Sequence, residues 1–176
     1  KGYNAFRLAI ANSIAQRPEQ SNPLSGEVLD DDSFSDVCKK LYTANISAMT
    51  QTLELVRPED YIRAADFLEE ADRVLCMGQG GSMIIAMEAA HLFSTASGKF
   101  ISVTDSHMQT IAIATAGEND VILFFSYSGA TKDLIQTISY ARERGLRSIL
   151  VTHFANSPGA ELADVTLLCG ALAGIL

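Results

Sequence analysis

Short apolar runs alternate with amphipathic stretches from residue 74 onward. The apolar runs are Val74–Met77, Phe100–Val103, Val121–Phe125, Ser148–Val151 and Val165–Leu168. Unbroken apolar runs of this length are typical of parallel strands that are buried on both faces. Helical spacing fills the intervals at Met83–Phe93, Ser106–Ala116 and Lys132–Arg144, and a short helix follows Pro158. The pattern predicts a three-layer α/β/α sandwich around a five-stranded parallel sheet.

The first 73 residues are organised differently. Residues 1–16 have one apolar stripe at helical spacing, and residues 17–33 have the prolines, glycine and acidic run of a linker. A long helix is predicted over Phe34–Val56 with Ser33 before it as a cap. Its apolar spacing fits a helix packed on the domain and equally a helix that forms a dimer. We expect the main domain to cover residues 34–176.

The formal net charge is −8 and 48% of the residues are hydrophobic. This acidic balance argues against a broad surface for a nucleic-acid backbone, although helix ends still permit a local anion site. Neither a run long enough to span a bilayer nor a signal peptide is visible, which predicts a cytoplasmic protein without a membrane partner. The three cysteines, Cys38, Cys76 and Cys169, lack metal-like spacing, so we expect reduced thiols and no metal site.

Two polar loops follow the first and the third predicted strand. They are Gly78–Ser82 and Ser126–Thr131. In the flavodoxin-like strand order 2-1-3-4-5 these two strands are neighbours at the point where strand order reverses, which is where such sheets bind ligands. The glycines permit close backbone approach, and the hydroxyls can donate to anionic oxygens. One such loop alone is more typical of an ordinary turn or cap, but the pair predicts an anion site.

The first loop only partly satisfies the dinucleotide-binding pattern G-x-G-x-x-G, because its last position is Met83. Asp105, near the end of the second strand, is placed as a ribose ligand would be, so a nicotinamide cofactor is one interpretation. That interpretation leaves the second loop without a role. The P-loop pattern is absent.

The two loops together resemble a known family. Met77-Gly78-Gln79-Gly80-Gly81-Ser82 and Ser126-Tyr127-Ser128-Gly129-Ala130-Thr131 are similar to the SIS (sugar isomerase) domain, and the resemblance covers about Phe34 to Gly170. The first nine residues, Lys1 to Ala9, resemble the end of the helix-turn-helix head of RpiR-type regulators. After Leu168 the chain departs from the family pattern, and we expect the C-terminal part of the domain to be missing.

The resemblance implies a phosphosugar-sensing domain of a transcriptional regulator. It implies that serine and threonine hydroxyls of the two loops contact the phosphate of the sugar. It also implies that neighbouring residues of both loops complete the phosphosugar site. The expected phosphate contacts are Ser82, Ser126, Ser128 and Thr131, and the expected neighbours are Gly80, Gly81, Tyr127 and Gly129. The implied partners are operator DNA, bound through the N-terminal head, and further copies of the chain in a homodimer or homotetramer.

No residue pair stands out as an acid and base for catalysis, so we expect no enzymatic activity and no cofactor. A phosphosugar isomerase on the same fold and a dinucleotide-dependent oxidoreductase remain the alternatives. His107 and His153 follow the second and fourth strands and are secondary candidates for sugar contact. His91 lies on an apolar helical stretch, and we expect it to be packed.

Overall fold

The computed structural model describes residues 28–170. The expected helix over residues 1–16, most of the expected linker and residues 171–176 lie outside this range. The helices are α1 (Phe34–Leu55), α2 (Pro58–Glu70), α3 (Gly81–Ser94), α4 (Ser106–Ala114), α5 (Lys132–Glu143) and α6 (Pro158–Leu162). The strands are β1 (Val74–Gly78), β2 (Phe100–Val103), β3 (Val121–Phe125), β4 (Arg147–Thr152) and β5 (Val165–Leu168).

The described residues fall into two units, of which the first ends at Ile46 and the second begins at Ser47. In the first unit the predicted cap of α1 is confirmed. The amide of Asp36 donates to Ser33 Oγ at 3.2 Å, and Ser33 Oγ donates to the Asp36 carboxylate at 2.6 Å. Lys40 donates to both carboxylate oxygens of Asp32 at 2.7 and 2.8 Å, and this contact lowers the pKa of Asp32.

The second unit contains one parallel sheet in the order β2-β1-β3-β4-β5, as the sequence predicts. The register pairs Met77 with Val103, Gly78 with Phe125, and Phe125 with Val151. Strands β1, β3 and β4 therefore end at one common edge, which we call the carboxyl edge.

Successive residues of each strand point to opposite sides of the sheet, and in the central strands β1 and β3 almost every residue is buried. On one side, Leu75, Met77, Ile122 and Phe124 pack with Ile113 of α4 and with Leu134 and Ile138 of α5. On the other side, Val74, Cys76, Leu123 and Ile149 pack with Ala64 of α2 and with Ala86 and Ala90 of α3. These two cores make the three-layer α/β/α sandwich that the sequence predicts.

Several element ends differ from the predicted ends by one or two residues; α4, for example, ends at Ala114 instead of Ala116. Local contacts define the start of α4 and the end of α5. Helix α4 begins after Asp105, whose carboxylate accepts from the Met108 amide at 2.8 Å. Helix α5 ends in a Schellman motif at Gly145, which has a φ of +72°. In this motif the amides of Gly145 and Leu146 donate to the carbonyls of Arg142 and Ala141, each at 3.0 Å. Within residues 28–170, the helices are too short or too polar to cross a bilayer.

Candidate functional site

The two polar loops meet at the carboxyl edge of neighbouring strands. Gly78 is the last residue of β1 and pairs with Phe125, the last residue of β3. Gln79 and Ser126 are consequently the first residues beyond a paired position. The strand order reverses between β1 and β3, so the loops lie at the topological switch point.

The first loop turns sharply from β1 into α3. A side chain on Gly78 would overlap the backbone carbonyl of Ser82, so only glycine permits this close approach. Gly80 has a φ of +56°, and its carbonyl accepts from the Met83 amide at 3.1 Å. Ser82 is half-buried, and its hydroxyl makes no hydrogen bond within the described range.

In the second loop, two serine oxygens accept hydrogen bonds from the loop's own backbone. Ser126 Oγ accepts from the Gly129 amide at 3.2 Å, and Ser128 Oγ accepts from the Ala130 amide at 3.3 Å. A serine hydroxyl carries one proton and two lone pairs, so both residues keep a proton to donate. Neither proton has an acceptor among residues 28–170. Ser126 is 6% exposed, so its hydroxyl lies in a packed environment.

Thr131 is the N-cap residue of α5, but its side chain does not cap the helix. Its carbonyl accepts from the Ile135 amide at 3.1 Å, which starts the helical ladder. The Thr131 hydroxyl makes no hydrogen bond in the described part of the chain. The first-turn amides that follow it supply positive potential at the end of the loop.

The connection between β4 and α6 holds the second loop in place. The Gly129 carbonyl accepts from the Gly159 amide at 2.8 Å. The Tyr127 carbonyl accepts from the His153 amide at 3.2 Å and from Thr152 Oγ1 at 3.1 Å. These contacts to the loop's backbone carbonyls fix its conformation.

Tyr127 points outward from the second loop and is 57% exposed. Its ring stacks on His153 with centroids 5.4 Å apart and meets the edge of Phe154 at 5.8 Å. His153 Nδ1 lies 2.9 Å from the Cys169 carbonyl. Since a carbonyl only accepts, Nδ1 carries the proton in this arrangement. The secondary candidate His153 thus belongs to an aromatic group beside the second loop.

A cavity of about 440 Å³ lies between α4 and α5. Polar side chains line most of it: Ser106, His107 and Thr110 from α4, and Asp133, Gln136 and Thr137 from α5. The structure thereby places the secondary candidate His107 in a cavity whose α5 side begins two residues after Thr131. The sequence analysis missed Asp133 and Gln136, although their position in the first turns after the second loop was a usable signal.

None of the predicted loop residues lines this cavity, whose walls come from α4 and α5. The structure also corrects one expectation, because His91 is exposed rather than packed. Among residues 28–170, no group of three histidine, cysteine or acidic side chains is placed to hold a metal ion.

Gln109 is a buried polar residue that the sequence analysis also missed. Its side chain is completely buried and lies beneath the carboxyl edge. Its amide nitrogen donates to the Val103 carbonyl at 2.8 Å and to the Gly78 carbonyl at 3.2 Å. Its amide oxygen accepts from Gln79 Nε2 at 2.8 Å. Gln109 therefore ties the ends of β1 and β2 to the first loop.

Residues 67–173 match the SIS domain family. An uncharacterized HTH-type transcriptional regulator of Caldanaerobacter subterraneus subsp. tengcongensis is 30% identical over 167 residues. The match covers 95% of this chain and 58% of that regulator. The chain thus spans less than two thirds of the length of this relative.

Two solved structures have the same fold. The sugar isomerase domain of an RpiR transcription factor from Sphaerobacter thermophilus is 26% identical, with a TM-score of 0.72. That similarity covers 77% of this chain and 76% of the other. The NanR protein of Vibrio vulnificus, solved in complex with ManNAc-6P, is 22% identical with a TM-score of 0.75. This similarity covers 99% of this chain and 59% of the NanR chain. At this level of identity it shows that the two chains share a fold, and nothing further.

Proposed function

The chain belongs to the SIS domain family, and from this premise we propose that it is the phosphosugar-sensing domain of an RpiR-type transcriptional regulator. In this proposal the two loops at the carboxyl edge bind the phosphate of a sugar phosphate. The sensed ligand changes the affinity of an N-terminal helix-turn-helix head for operator DNA. The proposed site residues are Gly80, Gly81, Ser82, Ser126, Tyr127, Ser128, Gly129 and Thr131.

One observation carries the proposal: four hydroxyls at the switch point have a proton without an acceptor in the described chain. They belong to Ser82, Ser126, Ser128 and Thr131. A phosphate presents only acceptors to such donors, and each hydrogen bond to a charged group contributes roughly 1.5–3 kcal/mol. An anion held in this way needs no arginine, which suits a chain whose net charge is −8.

The regulator role is supported by similarity. The relative from Caldanaerobacter subterraneus and the Sphaerobacter thermophilus structure are both named as transcription regulators. Coupling between ligand binding and DNA binding requires two arrangements of the paired heads. The sugar phosphate must bind the protein with different affinity in these two arrangements. We propose that a homodimer or homotetramer supplies the paired heads, because a two-fold assembly matches a palindromic operator.

The experiment compares sugar phosphates with their unphosphorylated sugars in calorimetric titrations of the full chain. We expect binding of phosphorylated members only, because the proposed hydroxyl donors of both loops lose their acceptor when the phosphate is absent. Ser126→Ala and Ser128→Ala should each weaken binding by roughly 1–3 kcal/mol. Ser94→Ala is the matched control, because this exposed serine lies at the far end of α3.

Equal affinity for both members of each pair would exclude a phosphate site. Unchanged affinity in both loop variants would show that the serines only shape the turn. Urea denaturation of the variants separates loss of binding from loss of fold, because Ser126 also accepts from the Gly129 amide.

A further inference from the structure

The hydrogen bonds of Gln109 determine which way its amide group points. Backbone carbonyls can only accept, so the atom that faces Val103 O and Gly78 O must be the amide nitrogen. The two protons of that nitrogen serve the two carbonyls. The amide oxygen consequently faces Gln79.

The orientation of Gln109 in turn determines that of Gln79. An amide oxygen can only accept, so Gln79 presents its nitrogen to Gln109, at 2.8 Å. The oxygen of Gln79 is therefore directed away from Gln109. This oxygen has no hydrogen-bond partner among residues 28–170, and the residue is half-buried at the carboxyl edge.

The oxygen of Gln79 differs chemically from the hydroxyls of the two loops. The hydroxyls of Ser82, Ser126 and Thr131 are donors to an anion, whereas this oxygen can only accept. An ionised phosphate offers mainly acceptor oxygens, so it gains nothing from an acceptor. A sugar hydroxyl can donate to it. The site thus combines several donors with one acceptor whose orientation is set by buried contacts.

On the basis of the proposed phosphosugar site, we infer that Gln79 is a specificity-determining residue whose side-chain oxygen accepts a hydrogen bond from a sugar hydroxyl. Gln109 is the positioning residue that sets this orientation. A site with an oriented acceptor discriminates against ligands that lack the matching hydroxyl, because the acceptor then stays unpaired. The ligand class is a phosphorylated polyol rather than phosphate alone.

The test compares the affinities of two kinds of ligand for the same set of variants. Inorganic phosphate and a set of hexose 6-phosphates and pentose 5-phosphates are titrated into the full chain and its variants. Gln79→Leu keeps the side-chain volume without the amide, and Gln79→Ala admits water to Gln109. In both variants we expect roughly 10-fold weaker binding of the sugar phosphate, which corresponds to one hydrogen bond. We expect the affinity for inorganic phosphate to change less than 2-fold.

Ser128→Ala is the comparison variant, and it should weaken both ligands together. Equal losses for both ligands in the Gln79 variants would overturn the inference, since Gln79 would then only shape the loop. Unchanged affinity for the sugar phosphates in both Gln79 variants would overturn it as well. If the unmodified chain binds neither ligand, the proposed phosphosugar site itself is wrong, and the inference is rejected with it.

Discussion

Gly129 is the position where the second loop is most sensitive to a single added methyl group. Its φ of +60° lies in the left-handed region, which residues with a side chain disfavour. A Cβ at this position would overlap Ser157 Oγ. It would also lie 2.6 Å from Ser157 Cβ and 2.9 Å from Thr152 Oγ1. Gly129→Ala therefore combines backbone strain with steric overlap.

The two effects give a magnitude for the loss in the free energy of unfolding. A left-handed conformation costs an L-residue about 1–2 kcal/mol. Overpacking of a well-packed site costs about 1–3 kcal/mol. The sum is roughly 2–5 kcal/mol, a large part of the roughly 5–15 kcal/mol that stabilises a typical domain.

Urea denaturation of Gly129→Ala and Gly145→Ala separates the two effects. Gly145 has a φ of +72°, but a Cβ there would have no atom within 4 Å, so only the conformational cost applies. Ser157→Gly removes the overlapping atoms and should restore part of the loss when it is combined with Gly129→Ala. As a helix-cap change alone, Ser157→Gly should cost only a few tenths of a kcal/mol.

Equal losses in Gly129→Ala and Gly145→Ala, with no coupling between positions 129 and 157, would refute the steric reasoning. A change in the slope of the free energy of unfolding against urea concentration would mean that the variant alters the denatured or native ensemble rather than one contact.

Two further predictions concern stability and activity. Burial alone would raise the pKa of Asp120, but hydrogen bonds from Arg73 and the Gly117 amide outweigh it, and the folded-state pKa is lowered. The ionised Asp120 carboxylate thus makes its full contribution to the free energy of unfolding above the unfolded-state pKa of about 3.9. This contribution is lost as the pH falls through the lower folded-state pKa. Asp120→Asn should lower the free energy of unfolding by roughly 1–3 kcal/mol at pH 7. A difference that did not shrink in denaturation at pH 3 would contradict this. In coupled assays for aldose–ketose phosphate interconversion we expect no turnover. A kcat on the order of 1 s⁻¹ that was abolished by His107→Ala would instead favour an isomerase.

The amino-acid sequence by itself determined the elements of the sheet and the type of chemistry at its edge. Each strand corresponds to an apolar run in the sequence, and the ends of all five strands lie within one residue of the ends of these runs. The glycine and hydroxyl residues of the two loops are also local signals, since their spacing directly reflects turn geometry. Their placement at the switch point followed from the predicted strand order.

Only the tertiary structure decided which polar groups meet. Gln109 binds groups on the ends of β1 and β2, and Gly78 is 31 residues away from it in sequence. Periodicity reports the face of a helix on which a residue lies, but not the distant atoms that this face meets. The cavity with His107 and Asp133 was hidden for the same reason, because its walls come from two separate helices. The exposure of His91 likewise depends on whether another element covers that side of α3, which the apolar composition of the helix does not specify.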